Sequence, residues 1–105
     1  MTLPLEVLQF EAMASGHRSL RLTRRVAWED FGPYADAIVS ALDATVLDRV
    51  DSPIERIWRV RIGAGQYWLG LDDFGLGVSL DSCDAAADAQ IEGVRERLLA
   101  LPGSP

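Results

Sequence analysis

The stretch Trp58-Arg59-Val60-Arg61-Ile62-Gly63-Ala64-Gly65-Gln66-Tyr67-Trp68-Leu69-Gly70-Leu71-Asp72 decides the fold. Trp58, Val60 and Ile62 alternate with Arg59 and Arg61, the two-residue period of a half-buried strand. Gly63-Ala64-Gly65 supplies a hairpin turn, after which Tyr67, Leu69 and Leu71 alternate with Gln66, Trp68, Gly70 and Asp72 on a returning strand. A slip of one residue would carry the arginines into the core, so the alternation sets the register of the pair.

Downstream, Val78 and Leu80 continue the apolar face from Leu76, opposite Gly77, Ser79 and Asp81. Asp84 then caps a helix whose Ala87, Ile91, Val94, Leu98 and Leu101 recur every three or four residues, and Pro102-Gly103 stops it. Upstream, Thr45 to Val50 reads as a strand closed by Asp51-Ser52-Pro53. Before it, Phe31, Tyr34, Ala35, Ile38, Val39 and Leu42 form one stripe of a helix, with Asp30 as its N-cap and Pro33 in the first turn, where a missing donor is harmless. Leu5 to Phe10 and Leu20 to Val26, joined by Ala14-Ser15-Gly16-His17, read as a hairpin. Leu5, Leu8 and Glu11 also fit helical spacing, so a short helix is the alternative for residues 1–12.

Tight turns pair successive strands antiparallel, and helices with a single apolar stripe must lay it on something apolar. The expected fold is therefore a single α+β domain over residues 1–105: an antiparallel sheet of five or six strands, arranged as a meander, with two amphipathic helices on one face and a frayed tail at 102–105. The chain has 105 residues and is 49% hydrophobic, enough for one core without cross-links. Cys83 is the only cysteine, which excludes an intrachain disulfide. The N-terminal apolar run is broken by Pro4, Glu6 and Gln9, unlike a signal peptide or a membrane span, so the expected location is the cytoplasm.

Ten arginines and no lysine stand against ten aspartates and six glutamates, a net charge of −6. Phosphate backbones repel such a chain, which argues against nucleic-acid binding and for a protein partner or self-association. The absence of both Lys and Asn is the mark of a G+C-rich coding sequence and suggests a bacterial source.

With the helices on the face of Trp58, Val60, Tyr67 and Leu69, the opposite face should show Arg21, Arg25, Arg59, Arg61, Gln66, Trp68 and Ser79. Four arginines make this face cationic, and Trp and Arg are enriched at interface hot spots, so it is the first candidate binding surface, for an acidic partner or a second copy of the chain. The alternative is that Trp68 only packs across strands against arginine stems. A second candidate is an acidic rim of Glu29, Asp72, Asp73, Asp81 and Asp84, suited to a basic partner. Its spacing is not that of a calcium loop, and neither a metal nor a cofactor is expected.

Catalytic residues are not assigned. Asp73-Phe74-Gly75 spells a kinase tripeptide in a chain too short for that fold, and Gly63 with Gly65 lacks the third glycine of a dinucleotide fingerprint. His17, the only histidine, falls in a turn, where local backbone hydrogen bonding is its ordinary use. Cys83 gains thiolate character from the helix start and loses it to Asp81 and Asp84.

Four segments carry a resemblance: Val26-Ala27-Trp28-Glu29-Asp30-Phe31, Glu55-Arg56-Ile57-Trp58, Tyr67-Trp68-Leu69-Gly70-Leu71-Asp72-Asp73-Phe74 and Gly77-Val78-Ser79-Leu80-Asp81. They resemble a family of short uncharacterised bacterial proteins, a domain of unknown function of about this length. The resemblance implies a bacterial α+β domain and no reaction. The expected function is a non-catalytic protein-binding module. One alternative is an immunity protein that neutralises a basic toxin, by class-level analogy; the other is a small hydrolase or metal-dependent enzyme that uses the loop carboxylates.

Overall fold

The computed structural model describes Leu5 and residues 9–53, 55–72 and 77–101, Asp72 by its backbone alone. Six strands, β1 (Gln9–Ala12), β2 (Arg18–Thr23), β3 (Thr45–Asp51), β4 (Arg56–Ile62), β5 (Gly65–Asp72) and β6 (Gly77–Ser82), form one sheet in the order β1-β2-β6-β5-β4-β3. Every neighbouring pair is antiparallel. Helix α1 (Phe31–Ala41) follows β2 through a 3-10 turn at Trp28–Asp30, and α2 (Ala85–Leu99) follows β6.

The sheet is not a simple meander. Strands β3 to β6 run as one, but the β1-β2 hairpin docks on β6, and α1 carries the chain from β2 to the far edge at β3. Turn chemistry predicts which strands are sequential neighbours; the β2-β6 pairing joins segments far apart in sequence and has no local signal. At the N-terminus the hairpin arm is strand from Gln9, while residues 6–8, part of the helical alternative, lie outside the described residues. Leu76, the motif at 73–75 and the 102–105 tail also lie outside them.

The β4-β5 hairpin has the register that the alternation requires, with Trp58 opposite Leu69, Val60 opposite Tyr67 and Arg59 opposite Trp68. Gly63, at φ +59°, supplies the left-handed residue of its turn. Trp58, Val60, Ile62, Tyr67, Leu69, Val78, Leu80, Leu20 and Leu22 are buried, together with Phe31, Tyr34, Ala35, Ile38 and Leu42 around α1 and Ala87, Ile91, Val94 and Leu98 on α2. Leu71 and Val39 are only half-buried.

Each helix makes a contact with one of these buried strand residues. The Phe31 ring meets Trp58 edge-on, with centroids 5.7 Å apart, and the Tyr67 hydroxyl donates to the Ala87 carbonyl at 2.9 Å. The Trp58 indole N–H is satisfied by Asp51 at 3.1 Å, so its burial leaves no orphan donor.

Asp84 caps α2 from extended backbone, its Oδ1 accepting the Ala87 N–H at 2.8 Å. Asp30 does not cap α1 with its side chain. It already has helical backbone, because the 3-10 turn runs straight into the helix and its carbonyls take the first amides, Ala27 accepting from Asp30 and Trp28 from Phe31.

Helix α2 seats very closely on the start of β5: a Cβ built on Gly65 would stand 2.5 Å from the Ala87 Cα. Gly93, on the outer side of the same helix, has nothing within 4 Å of such a Cβ. The two positions therefore respond oppositely to one methyl group. Gly65→Ala should push α2 off the sheet and cost about 2 kcal/mol or more, whereas Gly93→Ala should gain about 0.5–1 kcal/mol from helix propensity. Denaturant midpoints of the two variants, moving in opposite directions from the parent, check this; a harmless Gly65→Ala would contradict the close seat.

Candidate functional site

Side chains on the face away from Tyr67 and Trp58 form ordered cross-strand rows. One row runs Asp48, Arg59, Trp68, Asp81, Ser19, Glu11, and the next runs Val50, Ile57, Gly70, Ser79, Arg21, Gln9. Because Gly70 has no side chain, its position in the second row is open, and the wall beside it is close: a Cβ there would meet Ile57 Cγ1 at 3.3 Å. On the same face lies a hollow of about 290 Å³ lined by Val50, Glu55, Ile57, Trp68 and Asp81, and in its row Gly70 is flanked by Ile57 and Ser79.

Trp68 at 39% and Val50 at 37% are the large hydrophobic side chains that stay exposed among the described residues, and both border the hollow. Asp81, held by the Ser19 hydroxyl at 2.5 Å, stands directly across from Trp68. The Arg59 guanidinium carbon lies 6.0 Å from the Trp68 ring centroid, and its Nε is buried without a hydrogen-bond partner. Arg61 is exposed between Thr45 and Gln66.

The two surfaces expected from sequence are drawn differently by the structure. Arg25 is not on the sheet: the register shifts between Arg21 and Thr23, β2 ends, and the Arg25 amide turns back to the Thr23 hydroxyl at 3.0 Å. Arg21 pairs with Glu11 at 3.2 Å, so that end of the face is neutralised. Asp81 belongs to the sheet face and not to a separate rim. Both carboxylate oxygens of Asp84 are engaged, one as the α2 cap and the other by the Gln66 amide at 3.3 Å. Glu29 is exposed in the 3-10 turn, while the Asp72 side chain and Asp73 lie outside the described residues. Val50, Ile57 and Glu55 were not singled out from sequence. The alternation of Ile57, Arg59 and Arg61 along one side of β4, extended back to Glu55 just before the strand, is the signal that finds two of them.

His17 is not confined to its turn, although its N–H does reach the Ser15 hydroxyl at 3.3 Å. Its Nδ1 lies 2.5 Å from Asp88 Oδ2, and Asp88 Oδ1 accepts the Arg18 amide at 3.0 Å, so one carboxylate ties the β1-β2 hairpin to α2. The hydrogen bond from His17, and after it that from Arg18, holds the Asp88 carboxyl below its ordinary value. Burial first, then the negative charges of Asp84 and Asp81, pushes the Cys83 thiol up. Among the described residues no group of three or more His, Cys, Asp or Glu side chains is placed to hold a metal ion, and no helix is long and apolar enough to cross a membrane.

Fold and surface together define an α+β domain with an open, partly apolar sheet face. The chain belongs to the family described as a protein of unknown function, DUF3630, whose match spans residues 8–99. Comparison with curated proteins and with solved structures finds no match.

Asp88 should give the fold an acid-sensitive tie. Its folded pKa lies below the ordinary 3.8, so its contribution is complete above that value and is lost as the pH falls through the lower, folded one. Asp88→Asn should lower the denaturation midpoint at neutral pH and flatten the acid limb; limbs of equal steepness in parent and variant would refute the tie. Cys83 should alkylate at neutral pH more slowly than a free cysteine, and Asp81→Asn should narrow the gap. Equal rates for Cys83 and the free amino acid would contradict the shielding.

Proposed function

We propose that the chain is a non-catalytic protein-binding module that docks its partner on the open sheet face, over the hollow at Gly70. One observation carries this reading: Trp68 and Val50, the exposed large hydrophobics among the described residues, flank one concavity on the same face. A solvated sheet face has no need of them there, and leaving an indole 39% exposed forgoes burial that a core position would provide.

The composition of the patch supports it further. A rigid aromatic anchor in an apolar depression edged by Asp81 and Glu55, with Arg59 beside the ring, has the arrangement of a recognition centre with a polar border. Backbone positions are set by paired strands on both sides of Trp68, so the surface is preorganised and docking costs little ordering entropy.

Immobilised wild-type chain should retain a partner from a lysate of its source cells. Trp68→Ser should weaken that partner's binding roughly thirty-fold, as truncation of a hot-spot aromatic does. Trp28→Ser, outside the face, should leave binding unchanged, and both variants should keep the parent far-UV circular dichroism. Retention that survives Trp68→Ser would overturn the reading.

A further inference from the structure

We propose that the hollow over Gly70 receives one basic side chain, a lysine or arginine, projecting from the partner. This rests on the open-face reading above and adds the chemistry of what the face recognises.

The lining has two parts. Val50 and Ile57 make an aliphatic wall, with Gly70 directly across from Ile57 and Trp68 in the same lining. Asp81 and Glu55, both carboxylates, complete it. Lysine and arginine match this division, with an apolar stem of several methylenes and a cationic head. The stem fits the Val50 and Ile57 wall, while the head reaches the π face of Trp68 and the two acids. A volume of about 290 Å³ is ample for one long side chain.

Neither acid is spent elsewhere. Asp81 Oδ1 accepts from the Ser19 hydroxyl, and Oδ2 has no hydrogen-bond partner among the described residues. Glu55 is placed by its backbone, its N–H donating to Ser52 Oγ at 3.0 Å and its carbonyl accepting from the Ser52 amide at 2.8 Å, while its carboxylate makes no ion pair with a described residue. Nearby arginines are committed to other acids, Arg49 to Asp36 and Arg56 to Asp51.

Arg59 opposes the proposal in part. It sits beside Trp68 but does not line the hollow, so two negative charges at the site face one positive charge next to it. The net charge of −6 adds a long-range attraction for a cation. An acidic side chain would meet Asp81 and Glu55 head on, and a wholly apolar one would desolvate them without a partner. A second copy of the chain would bring another −6 against the same face.

Nitrogen-15-labelled full chain provides the test, through the indole N–H signals of Trp28, Trp58 and Trp68, the last assigned with Trp68→Phe. The probes are N-acetyl-arginine amide, N-acetyl-lysine amide and the citrulline analogue, a neutral isostere of arginine. The two cations should shift the Trp68 signal saturably with millimolar affinity, as expected for a lone side chain. Citrulline should bind about ten-fold more weakly. Asp81→Asn and Glu55→Gln should each weaken the cations, and Arg59→Gln should strengthen them.

Citrulline binding as well as arginine, a Trp68 signal unmoved by either cation, or indifference to Asp81→Asn would overturn the proposal. So would a Trp68 signal that moves with protein concentration alone alongside a dimer in sedimentation, which would make a second copy the occupant. The two readings fail separately. Lysate binding that needs Trp68 but ignores Asp81→Asn and Glu55→Gln removes the cation and leaves the docking face, whereas binding that survives Trp68→Ser removes both.

Discussion

The contact between α2 and the first residues of β5 is the constraint on which the remaining surfaces depend. Asp84 accepts the Ala87 and Gln66 amides, the Tyr67 hydroxyl reaches the Ala87 carbonyl, and the Gln90 side chain donates to the Ile62 carbonyl. These bonds require the helix to lie almost on the strand, which Gly65 alone permits. Once Tyr67 is bonded to α2 and Leu69 is buried on the same side of the strand, the pleat leaves Trp68 no choice but the opposite side.

What covers one face thereby defines the other. Trp68, Ile57, Val50 and Asp81 come from four strands, and their juxtaposition follows from registers across β3, β4, β5 and β6. Gly70 is the single position in its row that contributes no side chain, and the hollow is framed by side chains from the strands around it. The face is mixed in charge. Arg21 is matched by Glu11, and Asp81 stands two strands from Arg59 with Trp68 between them, so the cationic surface suggested by the arginines alone is replaced by a mosaic with an acidic, apolar centre.

Electrostatics also holds the architecture together away from that face. Arg49 lies 4.5 Å from the Trp58 ring centroid, and Arg56 joins Asp51 at 3.2 Å while donating to the Trp28 carbonyl at 2.6 Å. At the other edge, Asp88 links His17 and Arg18 to α2. With arginine as its only fixed side-chain cation, the chain uses planar, multiply donating groups that stack on rings and bond carbonyls together, which a lysine ammonium does not do.

Periodicity by itself determined the elements that bury one face: the β4-β5 alternation, the α1 stripe, the Asp84 cap and the α2 stripe are each local patterns, and each is where the local pattern puts it. It also separated Trp68 from Tyr67 and Leu69, because a strand's two sides are written in adjacent letters. Tertiary structure alone decided the rest. Pairing of β2 with β6, the bond from His17 to Asp88 and the meeting of Val50, Ile57 and Asp81 beside Trp68 all join residues distant along the chain. Such contacts form by closing long loops around a shared core, and no short-range propensity records which distant segments will meet.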